Sequence, residues 1–215
     1  MATYQHGILG PFSGKIGQVV GTSWNGIPVM RSLPVRKKTV PSTKQQDQRA
    51  RFVMMNGFLR PLTELLRLSF GNKAKNRTPF NQAFSANIKA VKGLYPALTI
   101  DYPKIRLSKG KLPLGEPPSI ASDEPGRLLL TWKIGDGINQ DLTCGTTFIA
   151  AYSEELNRWI YKTHGITDGQ TSCSLDVIPF NGRPAHVYIG FIAKGKQKTA
   201  ESRYMGLINV LSSSI

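Results

Sequence analysis

The spacing of the apolar residues changes along this chain, and that change constrains its fold. Apolar residues recur at steps of three and four between Phe52 and Leu68, which predicts an amphipathic helix over about 43–69. Residues 118–215 instead contain short runs of β-branched and aromatic residues, separated by turn sequences such as Asn181-Gly182. Several short strands at regular intervals are typical of a β-sandwich. We therefore expect an α+β chain, with an N-terminal β-hairpin plus helices and a C-terminal antiparallel β-sandwich of immunoglobulin- or fibronectin-like type.

Turn residues predict the other elements of the N-terminal half. Asn25-Gly26 lies between two extended apolar segments, and this pair favours a type I′ turn because both of its residues tolerate positive φ. We expect that turn to join strands at about 15–24 and 27–33. Further along, Thr78-Pro79 matches the cap and first residue of a helix over about 79–92, and residues 97–108 alternate enough to predict a strand.

The long helix has a clear start and an internal break. Ser42 or Thr43 can cap it, and a glutamine three residues later completes a capping box in either case. Pro61 lies inside the helical pattern and lacks the N–H that an α-helix interior requires. The sequence therefore predicts a kink, or two helices that meet at Arg60.

The net charge of the protein comes from its N-terminal half. Residues 1–117 contain 19 Lys and Arg against 4 Asp and Glu, a net charge of +15, whereas residues 118–215 contain 9 of each kind. This asymmetry, together with the Pro-rich stretch at 113–118, predicts a basic α+β domain over 1–117 and a neutral β-sandwich domain over 118–215. A region with so large an excess of cations is expected to attract an anionic partner.

The basic residues fall at definite places. Three of them lie on the helix face opposite the apolar stripe, and the others lie in loops or joints with hardly any acid nearby. The predicted anion-binding residues are Arg36, Lys37, Lys38, Arg49, Arg60, Arg67, Lys73, Lys75, Arg77, Lys109 and Lys111. Cations that neutralise phosphates gain affinity by counterion release, so we expect the partner to be nucleic acid or an acidic protein surface. The aromatic residues interleaved with these cations could stack on bases, although most lie on apolar faces and are expected in the core: Trp24, Phe52, Phe80, Tyr95 and Tyr102.

The sequence contains no residue set with catalytic or metal-ligating spacing. Cys144 and Cys173 are too few for a disulfide framework, and the histidines at positions 6, 164 and 186 lack ligand spacing. We therefore expect a protein that is not an enzyme and that uses no cofactor or metal. The first residues lack a signal-peptide pattern and no run approaches the length of a membrane span, which predicts synthesis and residence in the cytoplasm.

Two sets of motifs are distinctive in this chain. The N-terminal set consists of Gly14-Lys15-Ile16-Gly17, Val20-Gly21, Trp24-Asn25-Gly26-Ile27, Arg31-Ser32, Pro41-Ser42-Thr43, Gln46, Arg49 and Phe52. The later set consists of Thr78-Pro79-Phe80-Asn81, Ile100-Asp101-Tyr102, Ser108-Lys109-Gly110, Val187-Tyr188-Ile189-Gly190-Phe191 and Ser202-Arg203-Tyr204-Met205-Gly206. Together they resemble an uncharacterised family that is common in Bacteroidota. The resemblance covers nearly the whole chain and brings no catalytic residues with it.

The segment from Pro41 to Phe52 is also similar to segments of small phage virion proteins. This similarity implies a structural component of a phage or prophage particle, with homo-oligomerisation or virion assembly as its expected association. A different class of function stays open beside it. In that alternative the chain is an adaptor or ligand-binding module, and the sandwich loops around Asp136 and 163–170 recognise a glycan or a protein.

Overall fold

The computed structural model describes residues 3–4, 10–24, 26–35, 40–71, 77–112, 118–132, 145–165, 172–193 and 198–212. The chain divides by its internal contacts into two compact units, Met1–Pro41 and Ser42–Ile215.

The first unit is a four-stranded antiparallel sheet in which consecutive strands are neighbours. Its strands are β1 (Thr3–Tyr4), β2 (Phe12–Ile16), β3 (Val19–Trp24) and β4 (Ile27–Ser32). The expected hairpin between β3 and β4 is confirmed, and Gly26 in its turn has a φ of +82°. The single strand expected over 15–24 is wrong, because Gly17 takes a φ of +56° and turns the chain between β2 and β3. Positive φ at the first residue of a two-residue connection is the requirement of a type II′ hairpin.

The long helical segment of the second unit is interrupted at Pro61, as predicted. Helix α1 (Thr43–Leu59) is followed by a 3₁₀ segment (Arg60–Leu62) and by α2 (Thr63–Phe70). The capping box is also confirmed, since the Gln45 backbone N–H donates to Ser42 Oγ and the Ser42 N–H donates to Gln45 Oε1 at 3.1 Å. Pro61 lies in the first turn of the 3₁₀ segment, where its missing N–H has no intrahelical partner to lose.

Helix α3 (Pro79–Asn87) starts as expected but ends early. Thr78 caps it and Pro79 is its first residue, whereas the expected end near residue 92 is wrong. Asn87 explains the end, because its buried side-chain amide donates to the carbonyls of Ala83 and Arg106 and accepts from the Arg106 N–H. These bonds anchor the last turn of α3 to the chain near residue 106.

A short hairpin follows α3 and the 3₁₀ segment Ile88–Ala90. Its strands β5 (Val91–Leu94) and β6 (Ala97–Ile100) pair antiparallel. The strand expected over 97–108 is therefore much shorter than predicted. It ends because the 3₁₀ segment Tyr102–Lys104 follows, and Pro103 within that segment cannot donate to a strand ladder.

Seven strands form two further antiparallel sheets, with the orders β10-β9-β12-β13 and β11-β8-β7. Their bounds are β7 (Ser119–Ala121), β8 (Arg127–Thr131), β9 (Thr146–Ser153), β10 (Arg158–Gly165), β11 (Ser172–Asp176), β12 (Pro184–Ile192) and β13 (Arg203–Asn209). The chain thus combines helices with mostly antiparallel strands, which confirms that part of the expected fold class.

Strand β9 is buried on both faces, and this joins the helices and the two sheets into one unit. Phe148 and Tyr152 belong to a core cluster that includes Phe58 of α1. Ile149 and Ala151, which alternate with them, belong to a second cluster that includes residues of β8 and β11. Successive side chains of a strand point to opposite faces. One face of the β10-β9-β12-β13 sheet therefore packs on the helices, and its other face packs on the β11-β8-β7 sheet. The two compact units divide after Pro41. The domain boundary expected at 117/118 stays a prediction.

In the described part of the chain, none of the helices combines the length and apolar content needed to cross a membrane.

Candidate anion-binding surface

The predicted anion-binding residues are spread over several parts of the molecule. Arg36, Lys37, Lys38, Lys73 and Lys75 lie outside the described residues. The other six are all exposed and all lie in the second unit: Arg49, Arg60, Arg67, Arg77, Lys109 and Lys111.

The helix arginines do not share one uninterrupted helical face. Arg49 is in α1, Arg60 opens the 3₁₀ segment and Arg67 is in α2. Residues of a 3₁₀ helix advance by roughly 120° each, compared with roughly 100° in an α-helix. The three residues of this segment therefore turn Arg67 by about 60° from the position that one continuous helix would give it.

Arg67 differs from the other two in having a local partner. Its Nη1 donates to Glu64 Oε1 at 2.7 Å, and both side chains are mostly exposed. An exposed ion pair of this kind contributes little to stability, so the guanidinium can exchange Glu64 for another anion. Arg49 and Arg60 form no ion pair with another described residue.

Lys109 and Lys111 lie in a segment that is held against a distant part of the chain. Thr199 Oγ1 donates to the Lys109 carbonyl at 2.8 Å, and Leu112 forms an isolated parallel bridge with Ala200. Gly110 between the two lysines is required here, since a Cβ would lie 1.7 Å from the Thr199 carbonyl oxygen. The backbone is thus fixed while both lysine side chains remain exposed.

Arg51, which sequence reasoning missed, has a structural role instead. Its Nε donates to Asp47 Oδ2 at 2.7 Å, its Nη1 donates to the Val91 carbonyl at 2.6 Å, and its Nη2 donates to the Gly93 carbonyl. The hydrogen bond from Arg51 lowers the pKa of Asp47, which also accepts the Tyr95 N–H at 3.0 Å. The pair therefore clamps the β5–β6 hairpin to α1. The i,i+4 spacing of an acid and an arginine was the available sequence signal.

A groove of 780 Å³ opens in the second unit beside α1. Its lining comes from one side of α1, from β6 and the turn before it, from the 3₁₀ segment that begins at Tyr102, and from the end of β9 with the connection to β10. Arg49 is the one predicted anion-binding residue among its described lining residues, and Glu154 also lines it. Since a carboxylate opposes a bound anion, the groove is a poorer phosphate site than the open surface that carries Arg60.

Two neutral phenols, those of Tyr102 and Tyr152, line this groove. Burial first, and then Tyr152 and Glu154 beside it, raise the pKa of Tyr102 well above its ordinary value. Burial and Glu154 likewise raise the pKa of Tyr152, whose hydroxyl donates to Asn157 Oδ1 at 2.9 Å. Both phenols stay protonated at neutral pH, so they can hydrogen-bond a ligand and do not act as bases. The sequence had no local signal for this site, because Tyr152 and α1 lie about a hundred residues apart.

The titratable groups expected to be structural have ordinary packed environments. His186 stacks on Tyr102 with ring centroids 3.8 Å apart, and its Nδ1 hydrogen-bonds the Tyr204 hydroxyl at 2.8 Å. Burial lowers the pKa of His186 and raises that of the free Cys173 thiol to about 11. Among the described residues, no group of three His, Cys, Asp or Glu side chains could hold a metal ion.

The interleaved aromatic residues divide into two groups. Phe80 and Tyr102 are half-buried and pack against the first core cluster, as expected for core residues. Trp24, Phe52 and Tyr95 are instead exposed, and Trp24 is 68% exposed in a sheet of the first unit. Exposure of an aromatic ring this large is the observation that sequence reasoning did not anticipate.

Two solved structures are weakly similar to this chain. One structure, described as "Myokine structure", has a TM-score of 0.34 at 12% identity and covers 44% of this chain and 92% of that chain. Another, "Solution structures of the fn3 domain of human collagen alpha-1(XX) chain", has a TM-score of 0.34 at 14% identity and covers 50% and 92%. Scores this low support no conclusion about fold or function. No curated protein matches the chain.

A protein-family model does match, and it extends over most of the chain. The matched residues are 11–206, which include strands β2 to β4 of the first unit, helices α1 to α3, strands β5 to β12 and part of β13. The chain therefore belongs to the family described as "Family of unknown function (DUF6266)".

Proposed function

We propose that this chain is a non-catalytic structural and binding protein whose basic N-terminal half contacts nucleic acid or an acidic protein surface. The observation that carries the proposal is the charge distribution, +15 over residues 1–117 and zero over 118–215. Phosphates and carboxylates are the anions that such a surface would neutralise, and counterion release would supply much of the affinity for nucleic acid.

The placement of individual cations supports this proposal. Arg49, Arg60, Arg77 and Lys111 are exposed, and none of them is ion-paired to another described residue. Lys92 and Lys104 are different, because both pair with Asp101, at 2.7 Å and 2.9 Å. The first four cations are thus available to an external anion without first breaking an ion pair to a described residue.

The direct test is the salt dependence of binding to nucleic acid. Fluorescence anisotropy would follow a labelled 20-base-pair duplex and a labelled single strand at several salt concentrations. We expect Arg49→Ala with Arg60→Ala to reduce the slope of log K against log salt by about 1.8 for the duplex, at about 0.9 for each phosphate contact. A matched control is Arg158→Ala with Lys162→Ala, which removes two exposed cations from β10 in the neutral half and should leave the slope unchanged.

The same variants separate the two classes of anion. Absence of nucleic-acid binding at low salt would refute that version of the proposal. Retention on immobilised polyglutamate that depends on Arg49 and Arg60 would then support an acidic protein surface. Equal effects of the test pair and the control pair would contradict both versions, since they would show a dependence on total charge alone.

Three further features belong to the proposal. The sheets β10-β9-β12-β13 and β11-β8-β7 would form an immunoglobulin- or fibronectin-like sandwich. The core cluster to which both of these sheets contribute supports this part of the proposal. The setting would be a phage or prophage particle of Bacteroidota, supported by the motif resemblances, with synthesis in the cytoplasm and assembly into a homo-oligomer or virion. Portal, terminase or capsid genes beside the gene for this chain would support that setting, and a locus without them would argue against it.

The groove beside α1 favours ligand binding as a second candidate function. Its volume and its largely apolar lining with a few polar groups are those of small-molecule sites. The sandwich loops predicted for this role were those around Asp136 and 163–170. Residues 163–165 belong to strand β10 instead of a loop, and Asp136 and residues 166–170 lie outside the described residues. A glycan array and a ligand-induced thermal shift, each compared with Tyr152→Ala, would test this alternative.

A further inference from the structure

One face of the first-unit sheet combines an exposed tryptophan with two cations. In the register of the sheet, Lys15 of β2 lies opposite Val20 of β3, and Val20 lies opposite Arg31 of β4. Trp24, four residues after Val20, lies opposite Ile27. Residues directly opposite each other share a face, and residues two or four apart in a strand share it too. We refer to this face, which carries Lys15, Arg31, Trp24 and Ile27, as the Trp24 face.

The four side chains that define the Trp24 face are exposed, whereas Val20 between the two cations is half-buried. Trp24 is 68% exposed and Ile27 is 58% exposed. Among the residues of this unit whose burial is described, Gly21 alone is buried. A contiguous exposed surface with a large aromatic side chain marks a binding site more often than an ordinary surface. Its spacing follows from sheet geometry: Lys15 and Arg31 are roughly 10 Å apart across two strand spacings, and Trp24 lies roughly 13 Å along the sheet from that row.

The charge of this unit indicates what kind of partner would cover the face. Residues 1–41 contain five cations and no Asp or Glu. A second copy of the chain would bring two such surfaces together and add repulsion at the contact, so self-association is disfavoured. An anionic partner is favoured, and one with flat aromatic groups would also satisfy Trp24.

Single-stranded nucleic acid meets both conditions. Its phosphates are anionic, and its bases have free π-faces, whereas the bases of a duplex are already stacked on one another. Aromatic platforms combined with cations are the usual means of binding single strands without sequence preference. We propose that the Trp24 face binds single-stranded nucleic acid, with Trp24 stacked on a base and the Lys15–Arg31 row in contact with phosphates. This inference rests on the proposed function and adds to it the site and the form of the nucleic acid.

The experiment measures binding of a labelled dT12 oligonucleotide to the full chain by fluorescence anisotropy. Stacking on one base predicts that Trp24→Ala weakens binding by about 5- to 150-fold. Trp24→Leu, which keeps an apolar side chain but has no π-face, should weaken binding similarly, and Trp24→Phe should retain most of the affinity. The matched control is Met30→Ala, because Met30 is 67% exposed and pairs with Gly21, which puts it on the opposite face. That control should bind within twofold of the unmodified chain.

The contribution of Lys15 and Arg31 is tested separately, by the salt dependence of dT12 binding. Lys15→Ala with Arg31→Ala should reduce the salt slope for dT12 by about 1.4, at about 0.7 for each single-strand phosphate contact. The control pair Arg158→Ala with Lys162→Ala removes the same charge from β10 and should leave that slope unchanged. Circular dichroism of each variant guards against misfolding, and Trp24→Leu compared with Trp24→Phe keeps the test valid if Trp24→Ala unfolds the sheet.

Failure of this inference can be told apart from failure of the proposed function. If dT12 binding depends on Arg49 and Arg60 and is the same in Trp24→Leu and Met30→Ala, the Trp24 face is wrong and the basic-half function stands. If the chain binds polyglutamate but not dT12 at low salt, the single-strand assignment is again overturned while an acidic protein partner remains. Trp24-dependent self-association in sedimentation, or Trp24-dependent binding to phosphatidylserine vesicles without dT12 binding, would also overturn it.

Discussion

Adding a single methyl group at Gly190 should lower the free energy of unfolding, because the core has no space for it. Gly190 lies in β12 directly opposite Phe148 of β9, and the Phe148 ring covers it. A Cβ on residue 190 would lie 2.3 Å from both Cε1 and Cζ of Phe148, and 2.9 Å from Ser108 Oγ. Ordinary contacts between carbon atoms are roughly 3.5–4.0 Å, so the ring would have to move by more than about 1 Å.

That movement has no free space to use, because Phe148 is fully buried. Overpacking of this kind costs about 1–3 kcal/mol, since interiors are close-packed. Replacing glycine also reduces the entropy of the unfolded chain, which offsets about 0.4–1 kcal/mol. We therefore expect Gly190→Ala to lower the free energy of unfolding by about 1–2 kcal/mol, or Tm by about 2–8 °C for a chain of this size.

Urea unfolding followed by circular dichroism would measure the change. Gly57→Ala is the matched control, because Gly57 is in α1 and a Cβ there would meet nothing within 4 Å. Helix propensity predicts that it stabilises the protein by about 0.5–1 kcal/mol, so the two glycine substitutions should differ in sign. Phe148→Leu removes part of the clashing ring, and the double variant should be at least about 1 kcal/mol more stable than the sum of the single effects. A neutral or stabilising Gly190→Ala, or strict additivity with Phe148→Leu, would refute the reasoning.

Three smaller predictions follow from local contacts. Ser42→Ala removes the cap of α1 and should lower the free energy of unfolding by about 1 kcal/mol in the same urea assay, whereas Ser42→Asp should retain most of it. Because Arg51 lowers the pKa of Asp47, the Asp47 carboxylate stabilises the fold above about pH 4, and this stabilisation is lost as the pH falls through the lowered pKa of the folded state. Asp47→Asn should therefore flatten the acid part of the plot of unfolding free energy against pH. An unchanged plot would contradict the assignment. In a Cys144→Ala variant, the buried Cys173 thiol, with its pKa raised to about 11, should react with Ellman's reagent at pH 8 only after urea unfolding.

The interruption of the long helix shows how far local rules reach in this chain. The Ser42 cap and the break at Pro61 were both predictable, because each depends on backbone groups within four residues of it. The end of α3 was not predictable in the same way. Asn87 terminates that helix by hydrogen bonds to Arg106, a residue nineteen positions away whose proximity depends on the fold.

The same distinction applies to the domain organisation. Composition separates a basic half from a neutral half, and that property belongs to the sequence alone. In the tertiary structure the helices and the sheet that contains β9 belong to one compact unit, because β9 has apolar side chains on both faces and the helices cover one of them. The largely apolar sequence Thr146–Ser153 indicates a strand that is buried on both faces, but it does not indicate which element covers each face.

For the candidate sites, the residue types were visible in the sequence and their grouping was not. The excess of cations, the exposed positions of Arg49 and Arg60, and the Asn25-Gly26 hairpin all follow from composition and short-range patterns. Lys15 lies on the same face as Trp24 and Arg31 because of the register of β2 against β3, and the turn at Gly17 sets that register. A shift of one residue in the pairing register moves every side chain of a strand to the other face of the sheet. A site on a sheet is therefore defined only when the strands are paired.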